Sequence, residues 1–218
     1  HPKGKGLPAS PSADGPAHRV TGPNPVDLSS TVPASGSIRI QVVEGGNRWS
    51  HVQNQDSVHL AAQFTAPDGT YRVSVHRQMP RHPAGKYTTW NGVAFNHDMH
   101  GETGIGTDKL PLMKPEISLY GWGSLYRNGE LVTGMTPVHA MVTTKGPMAG
   151  VMLEVDTEDK LLKGVPGGYI NVHWPKIASL DMPTDMIRQR EWIGWAGMIG
   201  LALLFGWLAW REERPRRS

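Results

Sequence analysis

From Trp192 to Trp210 the chain runs WIGWAGMIGLALLFGWLAW, nineteen residues without a charge. At about 1.5 Å per residue such a helix spans roughly 28 Å, close to the hydrocarbon thickness of a bilayer. Trp192 and Trp195 stand at one end and Trp207 and Trp210 at the other, where an indole can keep its apolar body in lipid and its N–H in the interface. The sequence therefore predicts a transmembrane helix over 191–211 that anchors the protein in the bilayer. Arg211, Arg214, Arg216 and Arg217 follow it in REERPRRS, against Arg188 and Arg190 before it. Basic residues concentrate on the cytoplasmic side of a span, so 212–218 is expected as a cytoplasmic basic tail and the bulk of the chain as periplasmic, outside the cytoplasm. The chain starts at His1 rather than Met, which agrees with removal of a signal peptide. Small residues recur along the span (Ala196, Gly200, Ala202, Gly206), a pattern that permits close helix packing. With no His in it, the span offers no imidazole to a pigment.

Residues 1–35 are rich in Pro, Gly, Ala and Ser and read as lacking an apolar period of either kind. They are expected as an extended tail, ordered only against a domain or a partner. From Ser37 a period of two takes over. SIRIQVVE, SVHLAAQF, TYRVSVHR, PVHAMVTT, AGVMLEVD and GGYINVHW each alternate apolar and polar residues, as half-buried strands do. Asn128-Gly129 in GSLYRNGELVT marks a two-residue hairpin, and Ala66-Pro67-Asp68-Gly69 marks another turn. With Gly 26 and Pro 18 in 218 residues, short strands and tight turns suit the composition better than a helical bundle does. Short strands at this spacing indicate an antiparallel sandwich or barrel; the expected fold is all-β, with the sandwich the favoured form over 36–178 and an irregular stretch at 80–118. A juxtamembrane linker follows at 179–190.

The Gly-rich Tyr strands GTYRVSV and GGYINVHW resemble strands of immunoglobulin-like folds, and that likeness implies a sandwich without implying a function.

The chemistry of the chain is bounded first by what it lacks. There is no cysteine, so disulfides, thiolate zinc, iron–sulfur clusters, c-type haem attachment and blue copper are excluded. A net charge of +3 with no basic run interleaved with aromatics gives no footprint for nucleic acid. No Gly-x-Ser-x-Gly elbow occurs, and GETGIGTDK lacks the Gly-Lys-Ser/Thr ending of a phosphate loop. No catalytic residue is expected, nor an enzyme.

Asn96-His97-Asp98-Met99-His100 is the densest local feature, and His139 and Met141 stand two apart in a predicted strand, on one face. Imidazole with thioether is a donor set that suits Cu(I). The order His100, Met113, His139, Met141 resembles the periplasmic copper chaperones of cupredoxin-like fold, which use a His, a distant Met and a final His-x-Met. The resemblance implies copper on those four residues, with His97 beside them. Those chaperones carry Pro-Gly-Gly-Tyr directly before the His-x-Met. Here Pro166-Gly167-Gly168-Tyr169 leads instead to Ile170, with His173 later. His1 also resembles the mature N-terminal His of copper-resistance and lytic monooxygenase families, although Pro2 and a Gly-rich run follow it.

Taken together, the sequence points to a non-catalytic accessory subunit of a bacterial membrane complex, photosynthetic or respiratory. It would cap the outer face and strap neighbouring subunits, with the lipid bilayer and those subunits as partners and no cofactor of its own. The alternative is a membrane-tethered extracytoplasmic copper-binding or delivery protein. A free-standing adhesion or envelope protein is a third class.

Overall fold

The computed structural model describes residues 7–21, 29–44, 56–78, 92–103, 111–155 and 162–182. Those up to Asp181 belong to one compact unit. The predicted anchor with Trp192, Trp195, Trp207 and Trp210, and the basic tail with Arg211, Arg214, Arg216 and Arg217, lie outside the described residues. Among the described residues, no helix is long and apolar enough to cross a membrane.

The unit is an antiparallel meander. Its strands are β1 (Leu7–Val20), β2 (Thr31–Glu44), β3 (Ser57–Ala66), β4 (Gly69–Gln78), β5 (Val93–Phe95), β6 (Ile117–Arg127), β7 (Glu130–Thr143), β8 (Gly150–Val155), β9 (Ile170–Trp174) and β10 (Ser179–Asp181). The order β1-β2-β3-β4-β6-β7-β8-β9 returns to β1 through His18↔His173 and Arg19↔Val172. Eight strands thus close into a barrel, with β5 and β10 as additions. The all-β, antiparallel expectation holds. The two-sheet immunoglobulin-like or cupredoxin-like sandwich is replaced by one closed sheet. Alternation of apolar and polar residues is the same for both architectures; the difference lies in the pairing of the first strand with the last.

Two predicted boundaries move for the same reason. Leu7–Val20, expected as tail, is the longest kind of strand in the barrel, at 14 residues, and 31–35 is the start of β2. Its inward positions are Ala9, Ala13 and Ala17, buried at 3% exposure or less. A period of two is present, carried by side chains too small to register as an apolar stripe. Ser179–Asp181, expected as linker, is β10 and pairs with Ser10–Ser12. Its register against β1 continues that of β9, because His18↔His173 and Ser12↔Ser179 are in phase. Between them Pro16 and Pro175 fall opposite one another. Neither has an N–H to give, so the ladder lapses there and resumes where Ala178 donates to the Ser12 carbonyl at 2.8 Å. The hairpin at Asn128-Gly129 joins β6 and β7, both residues at positive φ (52° and 84°), as a two-residue turn of this kind requires.

Small residues on β1 and β2 face large ones elsewhere in the barrel. Trp174, Phe64 and Tyr71 are all 1% exposed or less. Phe64 stacks on Tyr71 at 5.1 Å and meets Trp174 edge-on at 6.1 Å, the offset and T-shaped arrangements that aromatic quadrupoles prefer. The Trp174 indole N–H donates to the Gly36 carbonyl at 3.2 Å. A Cβ at Gly36 would lie 2.1 Å from the Gln63 carbonyl oxygen and 2.5 Å from the Phe64 Cα, neither of which can swing away. Gly36→Ala is therefore expected to destabilise the barrel by about 1–3 kcal/mol, the usual cost of overpacking, read as a lower midpoint in urea with an unchanged slope.

One charged cluster is built into the barrel. Arg19, only 3% exposed, pairs with Asp68 from the β3–β4 turn and donates through Nη2 to the Pro166 carbonyl at 2.9 Å. The Tyr71 hydroxyl donates to the same Asp68 carboxylate. Burial, helped by that carboxylate, pushes its pKa up to about 12. Arg19 and Arg127 carry their guanidinium carbons 5.5 and 6.0 Å from the Tyr71 ring, within cation–π range. Arg127 also donates to the Asp68 carbonyl and, at 2.8 Å, to that of Gly164.

Candidate functional site

On most of the barrel the outward residues are exposed, but β6, β7 and β8 are buried on both faces. Ile117, Leu119, Val138, Ala140, Val142, Val151 and Leu153 fill the interior. The alternate positions, Ser118, Tyr120, His139, Met141 and Met152, therefore lie on the outside, since side chains alternate across a sheet. They are buried where Met99, Met113 and Met148 pack over them. The 80–118 stretch expected as irregular is not wholly so. Within it β5 pairs with Ile117–Leu119 where β4 has left β6, and Met99 and Met113 form a two-hydrogen-bond bridge at 2.8 and 2.9 Å.

That cover encloses a second core, outside the barrel. Met99, Tyr120, Met141, Met148 and Met152 pack together, with Met113 and Trp122 against them. Five thioethers thus share one cluster with the Tyr120 ring, and the His139 ring stacks on Tyr120 at 3.9 Å and 14°. His100 meets His139 edge-on at 6.2 Å. His139 is 6% exposed and His100 2%.

The state of His139 is fixed by its partners. Its Nδ1 lies 2.8 Å from the Leu119 carbonyl. A carbonyl only accepts, so Nδ1 carries the proton and Nε2 the lone pair. Nε2 is buried and has no hydrogen-bond partner among the described residues. Burial above all, with the neighbouring His100 ring, pushes the His139 pKa down to about 3, against the opposing effect of the Leu119 bond. The imidazole is neutral at any physiological pH. A neutral ring whose one nitrogen donates to a backbone carbonyl and whose other presents a lone pair is the arrangement in which metal-binding histidines are held.

Of the five residues expected from sequence to hold copper, Met113 and Met141 meet in the cluster, and His139 and His100 meet each other at its Tyr120 side. His97 is half-buried between β5 and Met99. Sequence reasoning passed over Met99, Met148, Met152, Tyr120 and Trp122. A signal for one of them existed: Met152 stands in the predicted strand that follows the one holding Met141. The others depend on how the cover folds. Among the described residues no three His, Cys, Asp or Glu side chains come together; sulfur and imidazole are the donors of the cluster, with Glu154 directly opposite His139 across β7 and β8.

Searches of protein-family models, of curated proteins and of solved structures returned no match to this chain.

Proposed function

We propose that this chain is a membrane-tethered, extracytoplasmic Cu(I)-binding or delivery protein, holding the ion in the thioether–imidazole cluster on the outer face of its barrel. The observation that carries this is the buried Nε2 of His139, a neutral lone pair without a hydrogen bond among the described residues, on a ring stacked against the Tyr120 of the five-methionine cluster. An unsatisfied buried nitrogen costs stability, and a soft monovalent cation would satisfy it. Thioether and imidazole favour Cu(I) over hard cations. His139, Met141, Met152 and Met113 would hold the ion, with His100 beside them. The apolar surround of Tyr120 and Trp122 would keep water from it. The tether rests on the Trp192–Trp210 segment and its arginine flank.

Anaerobic titration of the whole chain with Cu(I), against a chromophoric chelator, tests this. We expect about one ion per chain, and Met141→Leu, which keeps the volume, to weaken binding by at least the roughly 10–100-fold that loss of a supporting partner brings. Sulfur scattering at the copper absorption edge should accompany the bound ion. A chain that takes up no stoichiometric Cu(I), or a Met141→Leu variant of unchanged affinity, overturns the reading.

A second reading, an accessory subunit of a membrane complex, is favoured by the β6–β7 hairpin, where Leu131 and Met135 are 57% and 70% exposed. Purification from native membranes in mild detergent separates the two, since a fixed set of co-purifying subunits favours the second.

A further inference from the structure

Four directly opposed residues run across the outer face in one row. Met141 faces Met152, Met152 faces His173, and His173 faces His18. Directly opposed residues in antiparallel strands project to the same side, with Cβ atoms roughly 4.5–5.5 Å apart. The row begins in solvent at His18, which is exposed, and ends in the cluster at Met141, which is 1% exposed. His173, 4% exposed, lies between. Its Nε2 donates to the Ala149 carbonyl at 3.0 Å, which leaves the lone pair on Nδ1. Gly150 makes room for the ring: a Cβ there would lie 2.8 Å from Nε2. Burial, with His18 nearby, holds His173 below the ordinary imidazole range despite the bond to Ala149.

We infer that His18 and His173 form the solvent-side port of the copper site, passing Cu(I) from imidazole to thioether along this row into the Met152–Met141 cluster. The inference rests on the Cu(I) reading above and adds a route and a direction to it. Two imidazoles suffice for Cu(I), whose filled d shell accepts two to four ligands. Each transfer exchanges one neutral donor for the next, with no change in charge or oxidation state. The gradation from imidazole at the surface to thioether within also leads toward the softer donors. The cluster is otherwise closed over by the segment around Met99 and Met113, pinned by their two hydrogen bonds.

The test is the rate of loading of the whole chain from a Cu(I)–bicinchoninate complex, followed by loss of the chelator's colour. His18 is exposed and outside the cluster, so substitution should leave the fold and the final affinity intact. His18→Gln, which removes the donor lone pair of the ring, is expected to slow loading several-fold at unchanged final occupancy. His18→Met, which restores a soft donor, is expected to load near the wild-type rate. Unchanged loading in His18→Gln overturns the port and leaves the copper site standing. Equal slowing in both variants overturns the donor role. A wild-type chain that takes up no Cu(I) overturns the site and the port together.

Discussion

Removing residues 1–20 is expected to abolish cooperative folding of the barrel. Leu7–Val20 pairs with β2 along nearly its whole length and with β9 at His18 and Arg19, while Ser10–Ser12 carry β10. Without it β2 and β9 become open edges, and Ile38, Val172 and Trp174, none more than 1% exposed, lose their enclosure. A domain of this size has only about 5–15 kcal/mol of net stability, less than the burial that one central strand supplies. The truncated chain should show no sigmoidal urea transition, should bind a hydrophobic dye as loosely packed states do, and should aggregate through its unpaired edges. A truncated chain that melts cooperatively near the intact midpoint would show that the segment is an appendage.

Arg19→Met is expected to destabilise the barrel strongly. The guanidinium links β1 to the Asp68 turn and to the Pro166 carbonyl, and it does so from a side chain 4% exposed, opposite a carboxylate 19% exposed. Taking away one member of a buried pair leaves the other charged and desolvated, at a cost of about 3–5 kcal/mol. For a chain of this length that corresponds to a fall in Tm of about 6–20 °C. Tyr71 still donates to Asp68, so the lower part of the range applies. Arg19→Met combined with Asp68→Asn should recover much of the loss, because the uncompensated charge is then gone. If the double variant is no more stable than the single one, the pair acts through packing and not through charge.

The truncation and the Arg19 substitution also mark what sequence could and could not say about the fold. Apolar residues at alternate positions, as in SIRIQVVE, SVHLAAQF and TYRVSVHR, mark the second half of β2 and the strands β3, β4, β7, β8 and β9. Asn128-Gly129 gave a turn with its geometry. Ala9, Ala13 and Ala17 obey the same period, yet alanine contributes too little apolar surface to distinguish a strand from a polar linker. Their small size answers to large residues far away in sequence, Trp174 and Phe64 among them, and that complementarity is visible only once the ring is closed. Similarly, His139 and Met141 were legible as a pair because one strand holds both. Met99 and Met148 arrive from turns, and no local pattern foretells which turn will fold over which face. The Nε2 of His139 illustrates the limit most directly: its tautomer is set by a carbonyl on the neighbouring strand, at Leu119.

Closure between the first strand and the last also orders events in time. As the chain emerges from synthesis or export, each strand from β2 to β4, and from β6 to β9, finds its partner in the residues just made. β1 must wait on one flank until Val172 and His173 appear. Such distant pairing is slow, because a long loop has to be brought together before any contact rewards it. The row that leads from His18 to Met141 is assembled by that same last step, so on the copper reading proposed above a half-made chain would have thioethers but no port to them, and would take up metal only once the barrel is complete.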